Sequence, residues 1–227
     1  MTMRFSLSIS SLSLAAAGFL LATSGAMACG SGELLFEEKF ATLDPAWGFS
    51  EADESRTNGP NGLTYKLKPN DSRFLLNQSS LYDDYEVCVT FTTETPEKAG
   101  TYVAVDIWGV DAKNVYEVDI LPASGNYSVY RFQNNKLLKP VPLRKHDSIN
   151  VGTKVTNELS VVVKGSKGSI TINGKKVGDF TGKPPEGGSL VGVNFGTYDD
   201  DGGPSTITVS DFQVRKVADD GESAGAQ

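Results

Sequence analysis

Three carboxylates and a set of rings at alternating positions carry the chemistry this sequence offers. Tyr102, Asp106 and Trp108 share one parity of an apolar-alternating segment, and Glu117 and Asp119 share one parity of the next. Tyr130 and Arg131 stand on the segment after that. Successive side chains of an extended chain point to opposite faces, so residues two apart gather on one face. Rings that stack on the apolar side of a pyranose, beside carboxylates that reach its hydroxyls, are what a shallow sugar site requires. For the first two segments the parity is direct. For the third, Tyr127, Val129 and Arg131 compete with Ser128, Tyr130 and Phe132 for the core side, so either Tyr130 or Arg131 joins the strip. The competing reading is plain: Glu117 and Asp119 are solvated strand residues, and Trp108 and Tyr102 bury at the edge of a β core.

Other chemistries find less support. Asp199, Asp200 and Asp201 before Gly202-Gly203 offer hard oxygen ligands in a Gly-rich turn, which is what Ca²⁺ takes, although the spaced set of an EF-hand is missing. With one histidine, His146, and two distant cysteines, zinc has no ligand set. His146 beside Lys145 and Asp147 reads as a turn residue, and neither a Ser-His-Asp arrangement nor a phosphate-binding Gly loop is visible.

Those residues must be positioned by strands. Val87, Val89 and Phe91 share a face, as do Val103, Val105 and Ile107, Tyr116, Val118 and Ile120, Leu159, Val161 and Val163, and Val191, Val193 and Phe195. Ile170 and Ile172 lead into Asn173-Gly174, a two-residue hairpin turn whose residues both tolerate positive φ, with Val177 and Phe180 on the return strand. Ile207 and Val209 change phase to Phe212 and Val214, which predicts a bulge near Ser210-Asp211. With Leu34 to Phe40, Leu63 to Leu67, Phe74 to Leu76 and Tyr127 to Phe132, about a dozen strands result. Two antiparallel sheets packed face to face bury such a set: an all-β sandwich.

Residues 1–28 read as a secretory signal, with Arg4 in a short leader, an apolar run from Leu12 to Leu21 and the triplet Ala26-Met27-Ala28. The segment is too short to span a bilayer as a mature helix, and no second stretch is apolar enough to do so. Cys29 follows the predicted cut and supports two readings: a bridge to Cys88 in an oxidising compartment, or a lipid anchor, for which Ala26 and Met27 are a poor preceding pattern. The domain then covers 29–216, and 217–227 reads as a disordered acidic tail. A net charge of −7, from 21 basic and 28 acidic residues, argues against nucleic acid or an anionic membrane surface as a partner.

Several phrases in order, Phe36-Glu37-Glu38-Lys39-Phe40, Leu43-Asp44-Pro45-Ala46-Trp47, Tyr116-Glu117-Val118-Asp119-Ile120, Gly125 to Arg131, Asn157-Glu158-Leu159 and Ile172 to Val177, resemble the concanavalin A-like lectin and glucanase superfamily, in its laminin-G-like bacterial branch. The resemblance covers roughly residues 33–216 and implies a jelly-roll sandwich whose concave face binds sugars in many relatives. It also implies a test of catalysis, because laminarinase-type members carry Glu-x-Asp-x-(x)-Glu on one strand. Here Leu121 or Pro122 occupies the place of the last Glu, so the proton donor would have to come from a neighbouring strand, with Asp106 as the candidate. Tyr116 to Leu121 is also similar to a phrase of 3-keto-disaccharide hydrolase domains, but Ala99 to Val103 replaces the segment expected upstream. The expectation is an exported, non-catalytic carbohydrate-binding or cell-envelope recognition domain whose partner is a polysaccharide or glycan. Its rivals are a glycan-active hydrolase or lyase using Glu117 and Asp119, and a structural envelope protein.

Overall fold

The computed structural model describes residues 29–42, 44–50, 53–96, 100–198 and 203–217. The predicted signal, nearly all of the predicted tail and the Asp199-Asp200-Asp201 turn therefore lie outside the described residues. In chain order the strands are β1 (Leu34–Glu38), β2 (Arg56–Gly59), β3 (Gly62–Leu67), β4 (Ser72–Tyr82), β5 (Tyr85–Glu94), β6 (Thr101–Asp111), β7 (Asn114–Leu121), β8 (Asn126–Gln133), β9 (Lys136–Lys145), β10 (Lys154–Lys164), β11 (Lys167–Ile172), β12 (Lys175–Thr181), β13 (Ser189–Thr197) and β14 (Ser205–Lys216). One short 3-10 turn, Pro45–Trp47, is the sole helical element among them.

Two antiparallel sheets form the predicted sandwich. The first has the order β12-β11-β10-β5-β14-β3-β2, with β1 on the far half of β14; the second has the order β4-β13-β6-β7-β8-β9. Parity places Val87, Val89, Phe91, Leu159, Val161, Val163, Val103, Val105, Ile107, Val118, Ile120, Val193 and Phe195 in one shared core. The hairpin at Asn173 (φ 50°) and Gly174 (φ 73°) joins β11 to β12 as the sequence predicts. Asp211 has φ 52°, and the β14–β5 register slips between Ser210 and Gln213, which is the predicted bulge.

β2 and β9 were not predicted. β9 reads Lys-Leu-Leu-Lys-Pro-Val-Pro-Leu-Arg-Lys, without alternation and with Pro140 and Pro142 inside it. It forms the free edge of the second sheet, where prolines without an N–H are accommodated.

Cys29 and Cys88 form a disulfide with Cα atoms 5.6 Å apart. A thioether-linked lipid on Cys29 would need the same sulfur, so the bridged form leaves no anchor there. Glu86 lies against this bridge and accepts hydrogen bonds from Gly30 N (2.9 Å) and Ser160 Oγ (2.6 Å). No helix among the described residues is long and apolar enough to cross a membrane.

Candidate functional site: the carboxylate face of the second sheet

The middle strands of the second sheet bring three carboxylates to the face away from the core. Asp106 pairs with Glu117 across β6 and β7, Glu117 with Tyr130 across β7 and β8, and Asp106 with Gly192 across β6 and β13. One row along, Asn194, Ala104, Asp119 and Ser128 stand side by side. The strands alternate because Val103, Val105, Val118 and Ile120 take the interior, and their polar neighbours have only the other side.

Local packing leaves room for them. A Cβ on Gly192 would meet the Leu75 carbonyl oxygen at 2.2 Å, and one on Gly196 would meet the Tyr102 ring at 2.8 Å, so β13 runs past Asp106 and Tyr102 with no side chain at either row. Asn194 stands between the two glycines. Its Nδ2 donates to Glu117 Oε1 at 2.8 Å, and its Oδ1 accepts from the Tyr102 hydroxyl at 3.3 Å. Tyr102 and the half-exposed Tyr198 approach ring to ring at 5.5 Å, and Lys139 Nζ lies 5.6 Å from the Tyr130 ring centre.

The expectation of solvated carboxylates is corrected. Asp106, Asp119 and Glu117 are 0%, 2% and 7% exposed. Both oxygens of Asp106 and Oδ1 of Asp119 are buried without a hydrogen-bond partner. An isolated ionised carboxylate is costly to bury, so such groups shift toward the neutral acid. Burial, then the charges of Glu117 and Asp119, hold Asp106 well above the ordinary carboxylate range. Burial and the Glu117 charge do the same to Asp119, against a weak Ser128 contact. Burial pushes Glu117 up to about 7, with the Asn194 amide pulling the other way. Tyr198 rises to about 12 through burial and the nearby Asp119, Tyr130 and Glu117. Tyr102 is raised for similar reasons.

Two residues of the expected strip are elsewhere. Trp108 has φ 48° at a slip in the β6–β7 register between Ile107 and Asp111. That bulge turns its side chain into the interior, 2% exposed, edge-on to Tyr116 (5.0 Å) and Phe180 (5.7 Å). It does not flank the carboxylates but lies buried in the core. Arg131 pairs with Tyr116 rather than Glu117 and lies over the Tyr116 ring at 5.2 Å, so Tyr130 is the β8 residue on the carboxylate face. Sequence reasoning missed Asn194, Ser128 and Tyr198. The first two were findable by extending the same parity rule to β13 and β8. Replacing Trp108 with Phe is expected to cost about 1–2 kcal/mol of stability, the ordinary range for a core substitution. Ligand binding at the carboxylate face should be unchanged; urea unfolding and binding measured on one sample check both.

The three carboxylates do not converge as metal ligands. Among the described residues, the group of three ligand atoms within 4.8 Å of one another is Cys29, Glu86 and Cys88, whose sulfurs are bridged. A hollow of about 620 Å³ beside β10 to β12, lined by Val162, Ser169 and Phe180 among others, contains none of the expected site residues.

No protein-family model matches this chain. No curated protein matches it in sequence. Solved structures do share its fold. The carbohydrate binding module CBM66 from Bacillus subtilis superposes with a TM-score of 0.54 at 15% identity, over 71% of this chain and 91% of that one. A structure reported with endo-acting O-glycanases that initiate mucin breakdown, from the human gut microbiota, gives 0.59 at 10% identity, over 82% and 100%. The GH43 protein BlXynB from Bacillus licheniformis gives 0.54 at 12% identity, over 79% of this chain and 39% of that one. At these identities the likeness is one of fold: a β-sandwich of the kind found in carbohydrate-binding modules and glycoside hydrolases.

Proposed function

We propose that the protein is an exported glycan-binding domain without catalysis of its own, and that the carboxylate face of the second sheet is its recognition surface. The observation that carries this reading is the cluster of buried carboxylates Asp106, Asp119 and Glu117, in which both oxygens of Asp106 and Oδ1 of Asp119 have no protein donor. Sugar hydroxyls are donors. A glycan laid against Tyr198 and Tyr102 would present hydroxyls to Glu117 and Asn194 at the surface of the cluster, while the rings take the apolar side of the pyranose. The disulfide supports export, because such bridges persist in oxidising compartments. The family of solved folds supports the ligand class.

A second reading has one observation in its favour. Asp106 stands across from Glu117 on the neighbouring strand, and its raised proton affinity is what a general acid needs. A glycan array combined with a hydrolysis screen on the chain without residues 1–28 separates the two. Binding without turnover, weakened about tenfold or more in Tyr198→Ala, is expected on the scale of one lost stacking contact in a sugar site. Turnover that disappears in both Glu117→Gln and Asp106→Asn would make the protein a hydrolase. Absence of any glycan binding would remove both.

A further inference from the structure

The carboxylate face is rich in acceptors; the opposite chemistry collects in a separate cleft. Two adjoining cavities of about 240 and 350 Å³ share Tyr116, Arg131 and Lys183, where β8 and β9 face the segment that follows β12. Together they fall in the size range of small-ligand sites, about 300–1,000 Å³. Val110, Pro184 and Pro185 give this cleft apolar sides, and none of its lining residues is acidic.

Its donors are held in place and unused. Arg131 lies over the Tyr116 ring at 5.2 Å, and its guanidinium has no acceptor or ion-pair partner among the described residues. Tyr116 is itself fixed, because its hydroxyl accepts from the Lys183 backbone N–H at 3.0 Å. The adjacent Gly182 is pressed so close to Trp108 that a Cβ there would stand 2.1 Å from the indole, so the loop carrying Lys183 sits tightly on the core. Trp108 also lines the cleft, and its Nε1–H is buried without an acceptor in a side chain only 2% exposed. A guanidinium held in place with no acceptor calls for one from outside the protein.

We propose that this cleft is a second binding site, for a carboxylate-bearing ligand of about monosaccharide size such as a uronic acid, with Arg131 as its anchor. The planar guanidinium matches a carboxylate by two parallel N–H···O bonds, and stacking on Tyr116 means little side-chain freedom is lost on binding. Lys183 adds a second positive charge. The site does not depend on the glycan reading of the carboxylate face. In a chain of net charge −7 it gives anionic ligands a local place to bind that the molecule as a whole repels.

The chain contains two tryptophans, so a ¹H–¹⁵N spectrum has two indole signals, and Trp108→Phe identifies which one reports on the cleft. The ¹⁵N-labelled chain would be titrated with sodium glucuronate, glucose, sodium acetate and sodium sulfate. Glucuronate is expected to shift the Trp108 indole signal and to bind about tenfold or more tightly than glucose, acetate or sulfate, the scale of one bidentate charge-assisted contact. Arg131→Gln should abolish the shift, and Lys183→Gln should weaken it several-fold. Arg131→Lys, which keeps the charge and loses the fork, should be weakened as well, and it serves if the glutamine variant folds poorly. Equal binding of glucose, equal binding of acetate or sulfate, or a glucuronate shift that survives in both Arg131 variants would overturn the proposal.

Discussion

Raising the pH from about 4.5 to 8 should destabilise this protein rather than stabilise it. A carboxyl whose folded pKa is raised binds its proton more tightly in the native state than in the unfolded chain. Its contribution is therefore fully present below the unfolded value and lost as pH rises through the folded one. For Glu117 that window runs from 4.5 to about 7, and at 1.36 kcal/mol per unit the loss is about 3 kcal/mol. Asp106 and Asp119 act in the same direction, with a window that opens at 3.8, since both are raised well above that value. Asp53 opposes them at the acid end. Its partial burial is outweighed by hydrogen bonds from Arg73 and Ser55, so its contribution is lost as pH falls through its depressed pKa. The stability maximum should accordingly sit near pH 4–5. Urea unfolding at intervals across pH 4 to 8 reads the profile directly. Glu117→Gln should flatten the fall and leave the mutant the more stable form at pH 8. A midpoint that is level or rises over that range would show that the three carboxylates are compensated in solution.

Opening the Cys29–Cys88 bridge is expected to cost about 4 kcal/mol in the chain-entropy model, because it releases a loop spanning 59 residues. That is a large share of the roughly 5–15 kcal/mol that holds a typical domain. In a chain of this size it corresponds to a fall of about 8–16 °C in Tm. Cys88 lies in β5, at the centre of the first sheet between β10 and β14, so the bridge ties the N-terminal segment to the middle of that sheet. Calorimetry of the Cys29→Ser, Cys88→Ser double variant against the parent tests this. A change below about 1 kcal/mol would mean that Glu86, through Gly30 and Ser160, already anchors the segment without the covalent link.

Local periodicity was enough to identify much of this molecule. Apolar residues two apart define the core strands, Asn173-Gly174 defines a hairpin through its tolerance of positive φ, and the phase change before Phe212 defines a bulge; all three are properties of a few consecutive residues. The same rule placed Asp106, Glu117 and Asp119 on one face. What it could not supply was what lies beyond that face. Burial depends on strands distant in sequence, and it turned three presumed solvent-facing acids into a cluster with shifted proton affinities. Trp108 shows the second limit: a positive φ at a bulge changes the side that a side chain takes, and it falls on Trp108 itself rather than on the neighbouring Gly109, where the sequence would place it. Arg131 shows the third. Its segment alternates equally well in both phases, and only pairing with Tyr116 on β7 chose between them. Side-chain alternation is a one-dimensional property that the chain carries by itself; which face is covered, and which donors and acceptors are left unmet there, are decided by contacts between strands far apart in the chain.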